Sequence, residues 1–202
     1  WGYTGRVHMT YDLSADTRLG AAYTLRSRMG DMDGRATLTA VDGVAGQIAL
    51  PGKLQVRDFQ MPSVLNLGVS HRVTDRLTLA ADVSRVFWAG VMKDIKVAFV
   101  ADGGGDLNIR LPQDYRDQTV VAVGGAWRMD ERWTLRGGLR VAQQALPSST
   151  LLPVIPATPR KHLSAGFGYA VSPRSNVDFA WSHAFRETMD NTSLPNTSAP
   201  IR

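Results

Sequence analysis

Residues 118–141 read QTVVAVGGAWRMDERWTLRGGLRV, and this stretch decides the fold. Apolar side chains alternate with polar or small ones on both sides of the short polar pair Asp130-Glu131. Successive side chains of a β-strand point to opposite faces, so a period of two indicates strands. The stretch therefore predicts two antiparallel strands joined by a tight turn. Its apolar positions are Val121, Val123, Trp127, Met129, Trp133, Leu135, Leu139 and Val141.

The same alternation recurs along the chain on both sides of this hairpin. It favours an all-β protein with about eight main strands of roughly 9–12 residues, the length that a tilted strand needs to cross a bilayer. The apolar positions of the successive strands begin at Trp1, Leu19, Leu65, Leu77, Val121, Trp133, Leu163 and Val177.

Short and long connections alternate strictly between these strands. We expect tight turns at Asp12–Asp16, Thr74–Asp75, Asp130–Glu131 and Ser172–Ser175, and long loops at Ser27–Pro62, Ala89–Asp117 and Gln143–Lys161. This layout is typical of an antiparallel up-and-down transmembrane β-barrel, with short periplasmic turns and long extracellular loops. Parts of the long loops also alternate, so we expect strands to continue beyond the membrane; these parts are Leu54–Arg57, Ile95–Val100 and Leu107–Leu111.

Alternation alone does not separate a membrane barrel from a soluble β-protein, because the two exchange their apolar and polar faces. The polar face here is rich in glycine and single arginines, which suits a barrel lumen. Aromatic residues of the apolar face gather near the tight turns, where an interfacial girdle would lie; they are Tyr11, Trp127, Trp133 and Tyr169. The alternative is a soluble all-β ligand-binding module, which predicts a core containing Leu65, Leu79, Leu135 and Phe179.

The composition excludes two further classes of protein, helical membrane proteins and nucleic-acid-binding proteins. The chain has 202 residues, 44% hydrophobic and 20% charged, with no cysteine. No apolar run approaches the roughly 18 residues of a spanning helix. The net charge is +5, but the arginines are scattered singly and form no stripe, so we expect no nucleic-acid partner.

No catalytic or metal-binding arrangement stands out. The four histidines, His8, His71, His162 and His183, fall on different strands, and no HExxH or G-x-S-x-G motif is present. We therefore expect a non-enzymatic protein with no cofactor and no metal. The chain starts at Trp1 inside a strand and ends at Arg202 after a polar loop, so we expect residues 1–202 to be an incomplete barrel domain.

The order of several short motifs resembles the FadL/TodX family of outer-membrane transporters for long-chain fatty acids and hydrophobic compounds. The motifs are Asp117–Gly125 with Trp127, Asp130–Gly138, the proline-punctuated loop ending at Arg160, Leu163–Tyr169, and the strand Asp82–Trp88. The early hairpin, Trp1–Tyr11 followed by Arg18–Tyr23, is also similar. The resemblance spans most of the chain, and its specificity comes from the order of the motifs.

This resemblance implies a fourteen-stranded barrel plugged by an N-terminal hatch, with substrates that bind at the outer end and leave sideways through the wall. The chain departs from the family in three ways: it lacks the hatch with the early strands, it lacks a closing strand with a C-terminal aromatic residue, and Ala157 and Pro159 replace acidic residues before Arg160. We expect the first two departures to leave this stretch unable to close or gate alone.

A hydrophobic acid crossing such a wall needs apolar contacts and one cation for its carboxylate. We expect Arg110, with Arg116 close by, to be that cation, and Trp88 to line a pocket. The alternative for Arg110 is a solvated loop arginine or one bound to a lipopolysaccharide phosphate. The alternative for Trp88 is a residue of the interfacial aromatic girdle. Other inward charges would form a ladder of cross-strand ion pairs; they are Arg6, Arg18, Arg26, Arg72, Asp82, Arg136, Arg140 and Asp178.

The sequence thus favours passive uptake of long-chain fatty acids or other hydrophobic compounds. The expected partners are a hydrophobic small molecule and the lipid and lipopolysaccharide of a bacterial outer membrane, and the expected state is a monomeric barrel. Besides the soluble module, a structural or adhesive outer-membrane barrel remains an alternative, in which the long loops would carry the function.

Overall fold

A computed structural model describes residues 1–42, 46–151 and 159–190. The described residues form fourteen β-strands and two short 3₁₀ turns, Trp88–Gly90 and Ser148–Thr150. The strands are β1 Gly2–Tyr3, β2 Arg6–Asp12, β3 Thr17–Thr24, β4 Arg28–Met29, β5 Met32–Asp42, β6 Gly46–Arg57, β7 Val64–Arg72, β8 Leu77–Val86, β9 Asp94–Ala101, β10 Asp106–Pro112, β11 Gln118–Arg128, β12 Trp133–Ala142, β13 Lys161–Ser172 and β14 Ser175–Ala184.

Eight of these strands form one sheet, which we call the wall, in the order β2-β3-β7-β8-β11-β12-β13-β14. Every neighbouring pair is antiparallel, and the wall strands follow one another in chain order. This is the up-and-down arrangement expected from the alternating sequence. The eight predicted main strands are confirmed.

The register of the wall shows how strongly its strands are tilted. The row of paired residues that starts at Asp12, beside the first tight turn, passes through Gly124 and reaches Ser164. Ser164 lies about eight residues before the last tight turn, whereas six strand-to-strand steps separate the two turns. With a rise of about 3.3 Å per residue and a spacing of about 4.8 Å between strands, the tilt is roughly 40°. Closed membrane barrels have tilts of this size.

The tight turns occur where the sequence places them, and side chains stabilise them. In the β7–β8 turn, Thr74 Oγ1 accepts hydrogen bonds from the backbone N–H groups of Arg76 and Leu77, at 3.2 and 3.0 Å. The predicted aromatic girdle lies at this end of the wall: the ring centroids of Trp133 and Tyr169 are 4.6 Å apart. Short polar turns beside an aromatic belt match the periplasmic end of a membrane barrel.

The long connections contain a second, four-stranded sheet with the order β5-β6-β9-β10, which we call the outer sheet. It joins a hairpin from the β3–β7 connection to a hairpin from the β8–β11 connection. The three alternating segments of these loops are therefore strands, as expected. They do not extend the wall strands, however, because they pair with one another in a separate sheet.

The first predicted strand also differs from the expectation. Residues 1–11 alternate without a break, but the structure divides them into β1, which pairs with β4, and β2, which belongs to the wall. At the break, Thr4 Oγ1 donates to the Leu25 carbonyl at 2.7 Å and the Leu25 N–H donates to the Gly5 carbonyl at 2.8 Å. A side-chain bond thus interrupts the regular backbone ladder.

The buried hydrophobic side chains lie at the end of the molecule that carries the long connections. The described wall has no dry core, whereas a small core lies among the long connections, where Leu146 and Leu151 are buried. The soluble module predicts that Leu65, Leu79, Leu135 and Phe179 are buried, yet all four are exposed, Phe179 by 54%. The soluble alternative is therefore wrong.

Candidate functional site: the outer sheet and the lumen face

The wall presents two chemically different faces. One face carries exposed, large apolar side chains; they include Val7, Met9, Leu67, Val83, Val121, Val123, Leu139, Val141, Val177 and Phe179. Residues one position away in each strand lie on the opposite face, which carries the arginines, serines and glycines. Exposed apolar side chains over a whole sheet require a non-aqueous surrounding, because water would disfavour so much apolar surface. We call the opposite face the lumen face.

Several lumen-face arginines pair with aspartates. Arg136 Nη1 lies 2.5 Å from Asp178 Oδ1, and Arg18 Nε lies 2.6 Å from Asp12 Oδ1. Arg72 Nε lies 3.8 Å from Asp16 Oδ1 in the neighbouring turn. The expected ladder of ion pairs thus exists in part, but two of the acidic partners lie outside it: Asp12 is the last residue of β2, and Asp16 lies in the β2–β3 turn.

Between these ion pairs, the middle of the lumen face carries small side chains. Ala80 of β8, Gly124 of β11 and Gly138 of β12 are register neighbours, followed by Ser164 of β13. Ala122 lies two residues from Gly124 on the same face. These residues leave an unobstructed surface on which an apolar molecule can lie. We call Ala80, Ala122, Gly124 and Gly138 the lumen floor.

The outer sheet is amphipathic. Its apolar face consists of register-paired side chains of three strands, namely Leu54, Val56, Ile95, Val97, Phe99, Leu107, Ile109 and Leu111. Phe99 is buried with its ring against Gly52, where a Cβ atom would overlap it. Leu107 and Ile109 are 43% and 41% exposed, so the face extends to the edge of the sheet as an open apolar surface.

The opposite face of the outer sheet carries a set of ion pairs. Arg110 Nε lies 2.8 Å from Asp94 Oδ2, and Lys96 Nζ lies 2.6 Å from Asp58 Oδ2. The hydrogen bond from Lys96 lowers the pKa of Asp58. Arg110, the predicted carboxylate anchor, therefore lies on the face away from the apolar surface, and its guanidinium already has an acidic partner.

The other two predicted residues lie in the connections next to this sheet. Trp88 occupies the 3₁₀ turn after β8 and packs edge-to-face against Tyr115, with ring centroids 5.7 Å apart. Burial raises the pKa of Tyr115. Arg116 follows in the chain; its N–H donates to the Ala145 carbonyl at 2.8 Å and its side chain is exposed. Trp88 thus packs against the residue that precedes Arg116, and Trp88, Tyr115 and Arg116 form one cluster to which Arg110 does not belong.

Asp117 connects the parts of this cluster. Its Oδ1 accepts the Ala89 N–H at 3.1 Å, and its Oδ2 lies 3.6 Å from Arg85 Nη2. Arg85 Nη1 in turn donates to Thr119 Oγ1 at 2.8 Å. Sequence reasoning missed Asp117 and Tyr115, since nothing in their local pattern shows that they meet the turn at Trp88, more than 20 residues away.

Other kinds of site receive no support from the described part of the chain. Residues 1–42, 46–151 and 159–190 hold no group of three or more His, Asp or Glu side chains placed to bind a metal ion. No helix within these ranges has the length and apolar character to span a membrane. The departure from the family pattern at Ala157 lies outside the described residues.

A tilted antiparallel wall with an apolar outer surface and a polar lumen face defines the chain as part of an outer-membrane β-barrel. Comparison with known proteins agrees. Residues 1–199 match the family described as outer membrane protein transport protein (OMPP1/FadL/TodX). The chain belongs to this family, and its location is the bacterial outer membrane.

Two curated relatives show the range of the family. Outer membrane protein P1 of Haemophilus influenzae is 26% identical over 183 residues, which cover 91% of this chain and 38% of the relative. The long-chain fatty acid transport protein of Escherichia coli is 23% identical over 192 residues, covering 91% of this chain and 42% of the relative. The chain spans about two fifths of the length of these relatives.

Solved structures are more similar in sequence. The toluene transporter TbuX of Ralstonia pickettii is 41% identical, with a TM-score of 0.79 over 93% of this chain and 43% of its own. The toluene transporter TodX of Pseudomonas putida is 37% identical, with a TM-score of 0.84 over 93% of this chain and 45% of its own. The partial-barrel fold predicted from the sequence is confirmed by these likenesses.

Proposed function

We propose that the protein containing this chain takes up long-chain fatty acids or other hydrophobic compounds passively across the outer membrane. The observation that carries the proposal is the reversed polarity of the wall beside an open apolar surface on the outer sheet. The wall separates lipid from a polar passage. The outer sheet offers hydrophobic molecules an apolar surface outside that passage. The names of the relatives, a fatty acid transporter and two toluene transporters, support the same substrate classes.

Within this proposal, the predicted site residues act at the outer end. Trp88 contacts the substrate through its ring face, with Tyr115 holding the ring in place. Arg116 attracts anionic substrates over a distance, because an exposed cation raises the local concentration of anions. Arg110 contributes less to this attraction, since Asp94 offsets its charge. Uptake of this kind needs no chemical step, so we propose that the chain is not an enzyme.

The proposal also covers contact with lipopolysaccharide and the oligomeric state of the barrel. Arg85 and Lys161 lie at the outer ends of β8 and β13, at odd-numbered positions that share the apolar face with Val83 and Leu163. Cations at this height face the outer leaflet, where lipopolysaccharide carries phosphate groups, and we assign them to that contact. We further propose a monomeric barrel, since the apolar face then meets lipid along the whole wall.

The test is uptake in a Gram-negative host that lacks its own transporter of this family. The full-length protein is expressed, and entry of radiolabelled oleate and toluene is measured beside an empty vector. Ile109→Asp places a charge on the apolar face of the outer sheet and should lower uptake of both compounds several-fold. Thr37→Asp, which places the same charge at an exposed position on the polar face of this sheet, is the matched control and should leave uptake unchanged. Equal uptake with protein and empty vector would reject transport and favour a structural or adhesive barrel.

A further inference from the structure

We propose that one lipopolysaccharide molecule of the outer leaflet docks on the apolar face of the wall at β13 and β14. Lys161 and His183 bind its phosphate, and a groove in the wall holds one of its acyl chains. The inference rests on the proposed contact with lipopolysaccharide and names the site that holds the molecule. Two independent features of the apolar face carry it, the groove and the polar side chains at the outer end of the same strands.

The groove crosses the apolar face where large side chains are missing. Its open volume is about 760 Å³, and its floor is one row of register-paired residues, Gly125, Gly137 and Ala165. A Cβ atom on Gly125 would lie 2.9 Å from Leu79 Cδ2, so the Leu79 side chain closes the groove toward β8. The groove is open over Gly137 and Ala165. Large side chains border these two residues, namely Leu139 and Leu163 toward the outer end and Leu135 and Phe167 toward the periplasmic end.

This groove opens toward lipid, because the side chains that line it belong to the apolar face. An unfilled recess would lose van der Waals contacts on its lining, so a flexible apolar chain that fills it is favoured. A lipid acyl chain is narrow enough to lie between the bordering leucines and reach the floor.

Lys161 and His183 lie at the outer end of the same surface. Lys161 begins β13 and is exposed, four residues before Ala165 on the same face. His183 of β14 pairs in register with Leu163, which lies between them. Within the described ranges Lys161 has no acidic partner, and Glu187, which follows β14, pairs with Arg160. The Lys161 ammonium is therefore available to an anion at the membrane surface.

Aromatic rings hold His183 beside this cation. Its ring stacks on Trp181, with centroids 5.8 Å apart, and meets Phe185 edge-on at 5.0 Å. A ring N–H of His183 can donate to a phosphate oxygen, and Lys161 adds a charge-assisted hydrogen bond. A headgroup without an anionic group would leave Lys161 without a counter-charge. The chemistry of this pair thus fits a phosphate.

The spacing allows one lipid to use both features. At a rise of about 3.3 Å per residue, the Cα atoms of Lys161 and Ala165 are about 13 Å apart. A lipid tail spans half of a hydrocarbon core that is about 30 Å thick, or about 15 Å. A lipid with its phosphate at Lys161 therefore reaches the groove with its tail. Lys161 lies at the end of β13 away from the tight turns, where the phosphate-bearing lipid is lipopolysaccharide.

The test is lipid binding by the full-length protein after it has been freed of lipid in detergent. Native mass spectrometry measures the binding of deep-rough lipopolysaccharide and, in a separate titration, of phosphatidylglycerol. Lys161→Gln should weaken lipopolysaccharide binding about tenfold, the effect of one lost charge-assisted hydrogen bond. Gly137→Leu, which fills the groove, and His183→Leu, which removes the ring N–H, should each weaken it several-fold. The matched controls are Arg174→Gln, an exposed cation at the periplasmic end, and Gly20→Leu on the lumen face, and neither should change binding.

The possible results separate this site from the broader proposal. If the parent protein binds no lipopolysaccharide, the proposed contact and this site are both rejected, whereas transport is tested by uptake alone. If the parent binds it but Lys161→Gln and Gly137→Leu behave like their controls, only this site is rejected. Equal binding of phosphatidylglycerol, weakened by the same variants, would make the partner a phospholipid and reject lipopolysaccharide. Heat-dependent gel migration shows whether each variant has folded, and Ala165→Leu replaces Gly137→Leu if that variant migrates as unfolded. The inference stands if folded variants of both the cation and the groove lose lipopolysaccharide.

Discussion

Arg136 of β12 and Asp178 of β14 meet across an intervening strand, with Arg136 Nη1 2.5 Å from Asp178 Oδ1. The residue between them is Gly168 of β13, which pairs in register with Asp178. A Cβ atom at Gly168 would lie 2.7 Å from Asp178 Oδ1 and 3.2 Å from Arg136 Nη1. The ion pair therefore spans two strand spacings only because glycine leaves room for the guanidinium above the backbone.

Gly168→Ala should displace this ion pair and destabilise the wall. The added methyl group forces the two charged groups apart, and overpacking of this kind costs about 1–3 kcal/mol. The ion pair itself is half exposed on both sides, so its own loss contributes little. Urea unfolding in phospholipid vesicles measures the change. Gly20→Ala is the control, because a Cβ there meets nothing within 4 Å; an equal effect at both positions would contradict the steric explanation.

Val123→Arg should be far more damaging than Ala122→Arg. Val123 lies on the apolar face and is half exposed, whereas Ala122 lies one residue away on the lumen face. In a membrane barrel, an arginine on the lipid-facing side near the midplane costs about 2–4 kcal/mol, while a lumen position tolerates charge. Folding free energies in vesicles distinguish the two. If Ala122→Arg proved the more harmful variant, the assignment of the two faces would be reversed.

The period-two pattern was sufficient to predict most of the wall. Because alternate residues must face opposite sides, Val121, Val123 and Trp127 on one side and Arg136 and Arg140 on the other follow from local sequence. The tight turns were equally readable, since Thr74 and Asp130 are short polar residues that bind their own backbone.

Contacts between distant segments were not readable in this way. The outer sheet depends on β6 pairing with β9, two strands from different connections, and local alternation does not choose such a partner. The same holds for Arg110: its strand and face were predictable, but its bond to Asp94 depends on the turn of the β9–β10 hairpin. Which lumen arginines are paired depends on the register of several strands, so the pairing of Arg136 with Asp178 across β13 appeared only in the structure.

Asp130→Ala should destabilise the β11–β12 turn in a pH-dependent way. Asp130 Oδ1 accepts the backbone N–H groups of Arg132 and Trp133, both at 2.7 Å, and these bonds lower the pKa of the carboxyl. A lowered folded-state pKa gives stability that is fully present above the unfolded pKa of about 3.9 and is lost as the pH falls through the folded value.

The urea midpoints of the parent and Asp130→Ala should therefore differ at pH 7 and converge as the pH falls below about 4. Asp130→Asn keeps an oxygen acceptor and should show an intermediate midpoint with a weaker pH dependence. Glu131→Ala changes an exposed carboxyl in the same turn and serves as the control. A difference between parent and Asp130→Ala that stays constant from pH 7 to about pH 3 would rule out the carboxylate as its source.

Asp117→Ala should loosen the connections that hold Trp88. Asp117 bonds the Ala89 N–H and faces Arg85, so its removal frees the 3₁₀ turn from β11 and leaves Arg85 without its acidic partner. We expect trypsin to cleave after the exposed Lys93 several-fold faster than in the parent protein, because proteolysis follows local opening. Asp117→Asn keeps an oxygen for the Ala89 N–H and should cleave at an intermediate rate. Asp106→Ala, at the far end of the β9–β10 hairpin, should cleave at the parent rate; acceleration there as well would mean that the whole outer sheet opens and that Asp117 has no special part in holding Trp88.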